Sequence, residues 1–139
     1  MVYTYDPKIF SIIVGGKIIS GFADGTFIKL ERNQQAFQLK MGTDGEGTRA
    51  KSNDASGKIT ITLMQSSPSN DDLSSFAIAD QLANEGVVPV FIKDGSGRTA
   101  ASAATAWVQK LPDSEFSNEA QSRAWILETD GLDYFVGGN

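Results

Sequence analysis

A chain of 139 residues, 40% of them apolar, is long enough to build one ordinary domain around a real core. It contains no cysteine and no histidine, which excludes disulfides, thiolate metal sites and cysteine nucleophiles, and removes the commonest general base and transition-metal ligand. A net charge of −5 argues against gripping nucleic acid by neutralising phosphates, but not against letting nucleic acid slide past.

The chain opens with Tyr3, Tyr5 and Phe10 staggered around Pro7. These aromatics either cover the chain's own core or form an arm that packs on a neighbouring subunit. Ile9–Ile19 is apolar, but Gly15, Gly16 and Lys17 interrupt it and Asp6 precedes it. It therefore reads as neither a membrane span nor a signal peptide. Strands are expected over Ile9–Val14 and Lys17–Ser20, joined by a two-residue Gly15-Gly16 turn. Asp24-Gly25 marks a second turn, followed by a strand over Phe27–Arg32. Phe37, Leu39 and Met41 alternate with Gln38 and Lys40, another strand pattern. Gly42–Gly57 has almost no apolar content and reads as a long loop. The clearest strand is Lys58–Leu63, where Ile59, Ile61 and Leu63 alternate with Lys58, Thr60 and Thr62.

One helix is expected from about Asp71 to Glu85, capped by Ser69 or Asn70 and ended at Gly86. Asp71 and Asp72 suit the positive end of its dipole. Leu73, Phe76 and Leu82 are its packing residues, with Ala77, Ile78 and Ala83 in the same broad stripe. Val87–Lys93 follows as a strand. Thr99–Val108, rich in alanine, reads as a strand in a tight place. Lys110–Ser122 is a polar loop, and Ala124–Thr129 and Leu132–Val136 form a hairpin about Asp130-Gly131. The fold class is therefore mainly β: an antiparallel sandwich or barrel of seven to eight strands with one flanking helix, in a single domain over 1–139.

No catalytic constellation, cofactor site or metal site emerges. Gly95-Ser96-Gly97-Arg98-Thr99-Ala100 has the form of a dinucleotide fingerprint, but β-like sequence follows where a helix must open, so a hairpin turn is the better reading. Asp44, Glu46 and Asp54 could attract calcium, yet their spacing is not that of an EF-hand, and Arg49 and Lys51 lie among them. Without histidine, a serine nucleophile would need a lysine base, and no lysine stands in such a motif. A carbohydrate-binding sandwich would need an exposed aromatic platform, whereas Trp107 and Trp125 sit in strands that look buried.

The order of features resembles the tail tube proteins of contractile-tailed phages. The resemblance rests on Tyr3–Pro7 leading into Ile9–Val14 and Gly15-Gly16, then Ile19 to Thr26, Gly42 to Arg49, and Gly57–Leu63. It continues through Gln65 to Asn70 before the helix, Lys93 to Gly97, Ala106 to Val108, Trp125 to Leu127, and the terminal glycines. It implies a tail-tube-like fold shared with type VI secretion tubes, and hexameric rings joined by sheet edges and stacked into a hollow tube. DNA would pass through the lumen without specific binding during ejection, and the acidic balance suits a lumen that does not trap a polyanion. The implied partners are identical subunits, a sheath, baseplate and tail terminator proteins, with no membrane. The implied location is the virion tail, assembled in the bacterial host cytoplasm. Inter-ring contacts are expected from Asp44, Glu46, Arg49, Lys51 and Asp54, and an inter-subunit arm from Tyr3, Tyr5 and Phe10. A type VI-like secretion tube, or another tail or baseplate part of the same fold, is the alternative.

Overall fold

The computed structural model describes residues 2–94 and 100–137. Six strands come first: β1 (Ser11–Val14), β2 (Lys17–Ile18), β3 (Ile28–Arg32), β4 (Phe37–Met41), β5 (Gly47–Lys51) and β6 (Gly57–Met64), the last with the alternation its sequence predicts. After helix α1 (Ser69–Ala83) come β7 (Val88–Lys93), β8 (Ala100–Lys110), β9 (Ser122–Thr129) and β10 (Asp133–Phe135). An eight-stranded sheet runs in the order β2-β1-β7-β8-β9-β6-β3, with β10 also on β8, while β4 and β5 pair separately. Every strand pair is antiparallel. The fingerprint-like glycines 95–97 lie outside the described residues. The strands on either side, β7 and β8, are antiparallel neighbours, so no βαβ unit exists there.

The sheet closes on itself. Ile19 N–H donates to Ile12 of β1 at 3.1 Å. Two residues later Gly21 C=O accepts from Met64 N–H at 2.8 Å, and Ala23 N–H donates to Thr62 C=O at 3.0 Å. Residues 19–23 thus step from β1 onto β6 and join the two sides of the sheet. The crossing is tight: Gly21 has φ +76°, and a Cβ there would lie 2.6 Å from Ser67 Cβ. Inside this curled sheet Ile12, Val14, Ile59, Ile61, Leu63, Val90, Trp125 and Leu127 share one buried cluster.

Helix α1 covers β8, burying Leu73 and Ala77, and Phe76 leans on the β1–β2 turn, where a Cβ on Gly15 would meet its ring at 2.7 Å. The expected alanine-rich strand is real, and its small side chains at Ala101, Ala103 and Ala106 are buried.

Four expectations are corrected. The helix begins at Ser69, not Asp71. Its N-cap is Pro68, and Ser69 and Asn70 are buried inside it. It ends at Asn84, in the left-handed conformation with φ 56°, before Gly86 is reached. Leu82 does not pack on its own chain and is 83% exposed. It lies about two and a half turns from buried Leu73, which places it on the opposite face. Gly42–Gly57 is not a loop throughout, since β5 within it pairs with β4. Backbone pairing needs no apolar side chains, so the polar run hid a strand. Finally, Asp130-Gly131 makes no hairpin. β9 pairs with residues 106–110 of β8 and β10 with residues 100–102, so the two lie end to end along the same strand. The jog between them sends Leu132 into the core and lets its N–H donate to Ala55 C=O at 2.9 Å. Burying Leu132 outweighs the local turn preference.

Candidate assembly surfaces

The β4–β5 hairpin stands off the main sheet. Its base is closed by Asn33 N–H to Ser56 C=O at 3.1 Å and Ser52 N–H to Ala36 C=O at 2.8 Å. At its tip Gly42 N–H donates to Glu46 C=O at 2.7 Å, and the Asp44 carboxylate accepts from Glu46 N–H at 3.1 Å. The register puts Phe37 opposite Lys51, Leu39 opposite Arg49 and Met41 opposite Gly47. One face of the hairpin is therefore apolar along β4 and basic along β5. The Arg49 guanidinium sits 4.2 Å from the Phe37 ring centroid, a cation–π contact.

Every residue of both strands is exposed, Leu39 to 70%. An isolated two-stranded hairpin is marginal in water, and an unburied apolar face marks a contact site. Of the expected inter-ring residues, the structure brings Arg49 and Lys51 together on this face and puts Asp44 and Glu46 at the tip. Asp54 lies apart, past β5, where it accepts from Ser56 N–H at 2.9 Å. The Ser56 hydroxyl, and after it that backbone bond, hold its carboxyl below its ordinary pKa of 3.8.

The N-terminal aromatics divide. Asp6 accepts from Lys8 N–H at 3.0 Å and starts a short 3-10 turn, Pro7–Ile9. Phe10 then packs edge-on against Phe27 with ring centroids 5.7 Å apart, so it serves its own chain's core. Tyr3 and Tyr5 are exposed, Tyr3 to 79%.

An outward apolar row escaped the sequence reading. Ile18 pairs with Ile13 and Ile13 with Phe91, so these three exposed side chains form a ladder across β2, β1 and β7. The sequence carries no signal for it: Ile12, Ile13 and Val14 are all apolar, and only the burial of Ile12 and Val14 shows that Ile13 faces outward. The outward face of β3, β6 and β9 is polar instead, with Glu31 opposite Lys58 and Lys58 opposite Glu128. Among the described residues no group of three or more acidic side chains is placed to hold a metal ion.

A closed antiparallel sheet with one flanking helix is the fold of contractile-injection tube and terminator proteins. The sheath/tube terminator of an extracellular contractile injection system, PVC, superposes with a TM-score of 0.69 at 16% identity, over 97% of this chain and 99% of that one. The tube-terminating cap of the anti-feeding prophage gives 0.67 at 15% identity, over 96% and 92%. A chain of the PVC sheath–tube complex gives 0.65 at 15% identity, over 95% and 91%. Structural protein ORF10 of Pseudomonas phage KPP10 is 27% identical over 144 residues, covering 98% of this chain and 83% of the relative. The family of the bacteriophage PhiTE tail tube protein matches residues 11–137, and the chain belongs to that family.

Proposed function

We propose that this chain is the repeating subunit of a phage tail tube, a single domain over 1–139 that closes into hexameric rings stacked into a conduit for DNA. Membership of the tail tube family carries the reading. The unburied β4–β5 face supports stacking, since an apolar surface of this kind is stable once another copy covers it. The hairpin, with Asp44 and Glu46 at its tip and Arg49 and Lys51 on its face, reaches the adjacent ring. Tyr3 and Tyr5 form the arm on a neighbouring subunit, and Phe10 anchors that arm. The role is structural and needs surfaces, not a reaction centre. Sheath, baseplate and terminator proteins meet the tube in the virion, after assembly in the host cytoplasm.

A second reading, a terminator that forms one ring and does not stack, is favoured by two of the structural neighbours. Negative-stain microscopy of the purified protein separates the readings. Long tubes are expected; single rings would select the terminator, and monomers at high concentration would overturn both.

A further inference from the structure

The dipeptide Asp-Gly occurs four times, beginning at Asp24, Asp44, Asp94 and Asp130. In it the backbone nitrogen of the glycine can attack the aspartate side-chain carboxyl, because glycine has no side chain to block the approach. Closure needs a carboxyl that can swing onto its own backbone and an N–H that no acceptor holds. The dipeptide is the same at each site, so the fold decides which one reacts. Asp94 is buried, and Gly95 lies outside the described residues. Exposure and crowding do not separate the other three. Each aspartate is exposed, and a Cβ on Gly25, Gly45 or Gly131 would meet nothing within 4 Å.

Hydrogen bonding does separate them. At the hairpin tip the Asp44 carboxylate accepts from Glu46 N–H at 3.1 Å, and Gly45 N–H donates to Gly42 C=O at 3.1 Å. Between β9 and β10 the Asp130 carboxylate accepts from the Thr105 hydroxyl, and Gly131 N–H donates to Thr129 Oγ1 at 3.2 Å. Both reacting groups are thus held at both sites. Among the described residues nothing bonds to the Asp24 carboxylate or to Gly25 N–H.

We infer that Asp24-Gly25 is a site of spontaneous isoaspartate formation, selected by the fold from chemically equal dipeptides. Gly25 N forms a bond to Asp24 Cγ. The amide proton and the carboxyl hydroxyl leave as water, and a five-membered succinimide results. Water then adds to the succinimide carbonyl that was the Asp24 backbone C=O and breaks its bond to nitrogen. The chain now runs through Cβ, and the old backbone carbonyl is the free carboxylate. One water leaves and one returns, so the mass is unchanged and no other reactant is needed.

The product has one extra methylene in its backbone, at a place with little slack. Residues 24–26 form a short excursion whose two stems hang on one residue. Ala23 N–H donates to Thr62 C=O at 3.0 Å, and Thr62 N–H donates to Phe27 C=O at 2.8 Å. The Phe22 and Phe27 rings, 5.1 Å apart between centroids, brace the same stems. The Ala23 bond also fastens the crossing segment 19–23 to β6, so isomerisation loosens the seam that closes the sheet. The chemistry is independent of how copies assemble.

The test is to age the dilute folded chain at neutral pH and physiological temperature, digest it, and locate isoaspartate by electron-transfer fragmentation. Two hydrogen bonds must open before Asp44 or Asp130 can close, so isoaspartate should form at Asp24 about tenfold faster than at either. In urea the three rates should converge, and Asp24→Glu should abolish the Asp24 product, because its six-membered ring closes far more slowly. Equal rates at the three sites in the folded chain, or a preference for Asp24 that persists in urea, overturn selection by the fold. Hydrogen exchange of the isomerised chain, separated by ion exchange, should show faster exchange at the Ala23 and Thr62 amides. Unchanged exchange there overturns the loosened seam.

Discussion

The Asn70 side-chain oxygen accepts from Trp125 Nε1 at 2.9 Å, and its amide donates to the carbonyls of Met64, Ser67 and Gln65 at 3.0, 3.0 and 3.3 Å. One carboxamide thus satisfies the buried indole N–H and the last carbonyls before α1. The Met64 and Ser67 carbonyls keep backbone donors in Ser67 N–H and Asn70 N–H, but the indole N–H has only this acceptor. A buried polar group left unpaired costs about 1–3 kcal/mol, so Asn70→Ala should lower stability by about that much in urea unfolding. No change in the midpoint would mean that water replaces the amide. Asp54 offers a smaller, titratable case. Because its folded pKa is depressed, its contribution is in place above about pH 3.8 and fades as pH falls through the folded value. Ser56→Ala should move the Asp54 carboxyl pKa upward in an NMR titration, since it deletes one of the two bonds to the charged form.

Among elements, α1 and the hairpin make opposite demands on their apolar side chains. Leu73 is fully buried between helix and sheet, so Leu73→Ala should cost about 2–5 kcal/mol, whereas Leu82→Ala should stay within about 0.5 kcal/mol. Equal losses in thermal melts would show that the helix turns a different face to the sheet. On the hairpin, Leu39 contributes nothing to its own chain's core. Leu39→Asp should therefore leave the melting temperature nearly unchanged yet stop rings from stacking, as microscopy would show. Replacing residues 35–54 with a short Gly-Ser turn, possible because Asn33 and Ser56 already meet at the base, should do the same. Tubes of normal length from either variant would make the hairpin a passive projection. The helix period was readable from Leu73, Phe76 and Ala77. The hairpin was only half readable, because β4 alternates apolar and polar residues while β5 pairs through its backbone alone.

For the whole molecule, the net charge of −5 disfavours association at low salt, while the exposed apolar side chains of β1, β4 and β7 favour it. At 1 M salt the Debye length shrinks to about 3 Å, so contacts made by apolar faces and backbone edges should survive, and tube length should hold or increase. Tubes that dissolve at high salt would shift the weight to Arg49, Lys51 and the acidic tip.

By itself the sequence determined the mainly antiparallel β class, the single helix, and most of the core. Each of these follows from local periodicity: Ile59, Ile61 and Leu63 on one face of a strand, Leu73 and Ala77 on one face of a helix. Only the tertiary structure decided that residues 19–23 close the sheet, that β10 pairs with β8 instead of β9, and that Asn70 serves Trp125 instead of capping. In these places residues far apart in the chain compete for the same partner. Local turn and cap preferences, worth about 1 kcal/mol, yield to the burial of Leu132 and Trp125, which is worth more.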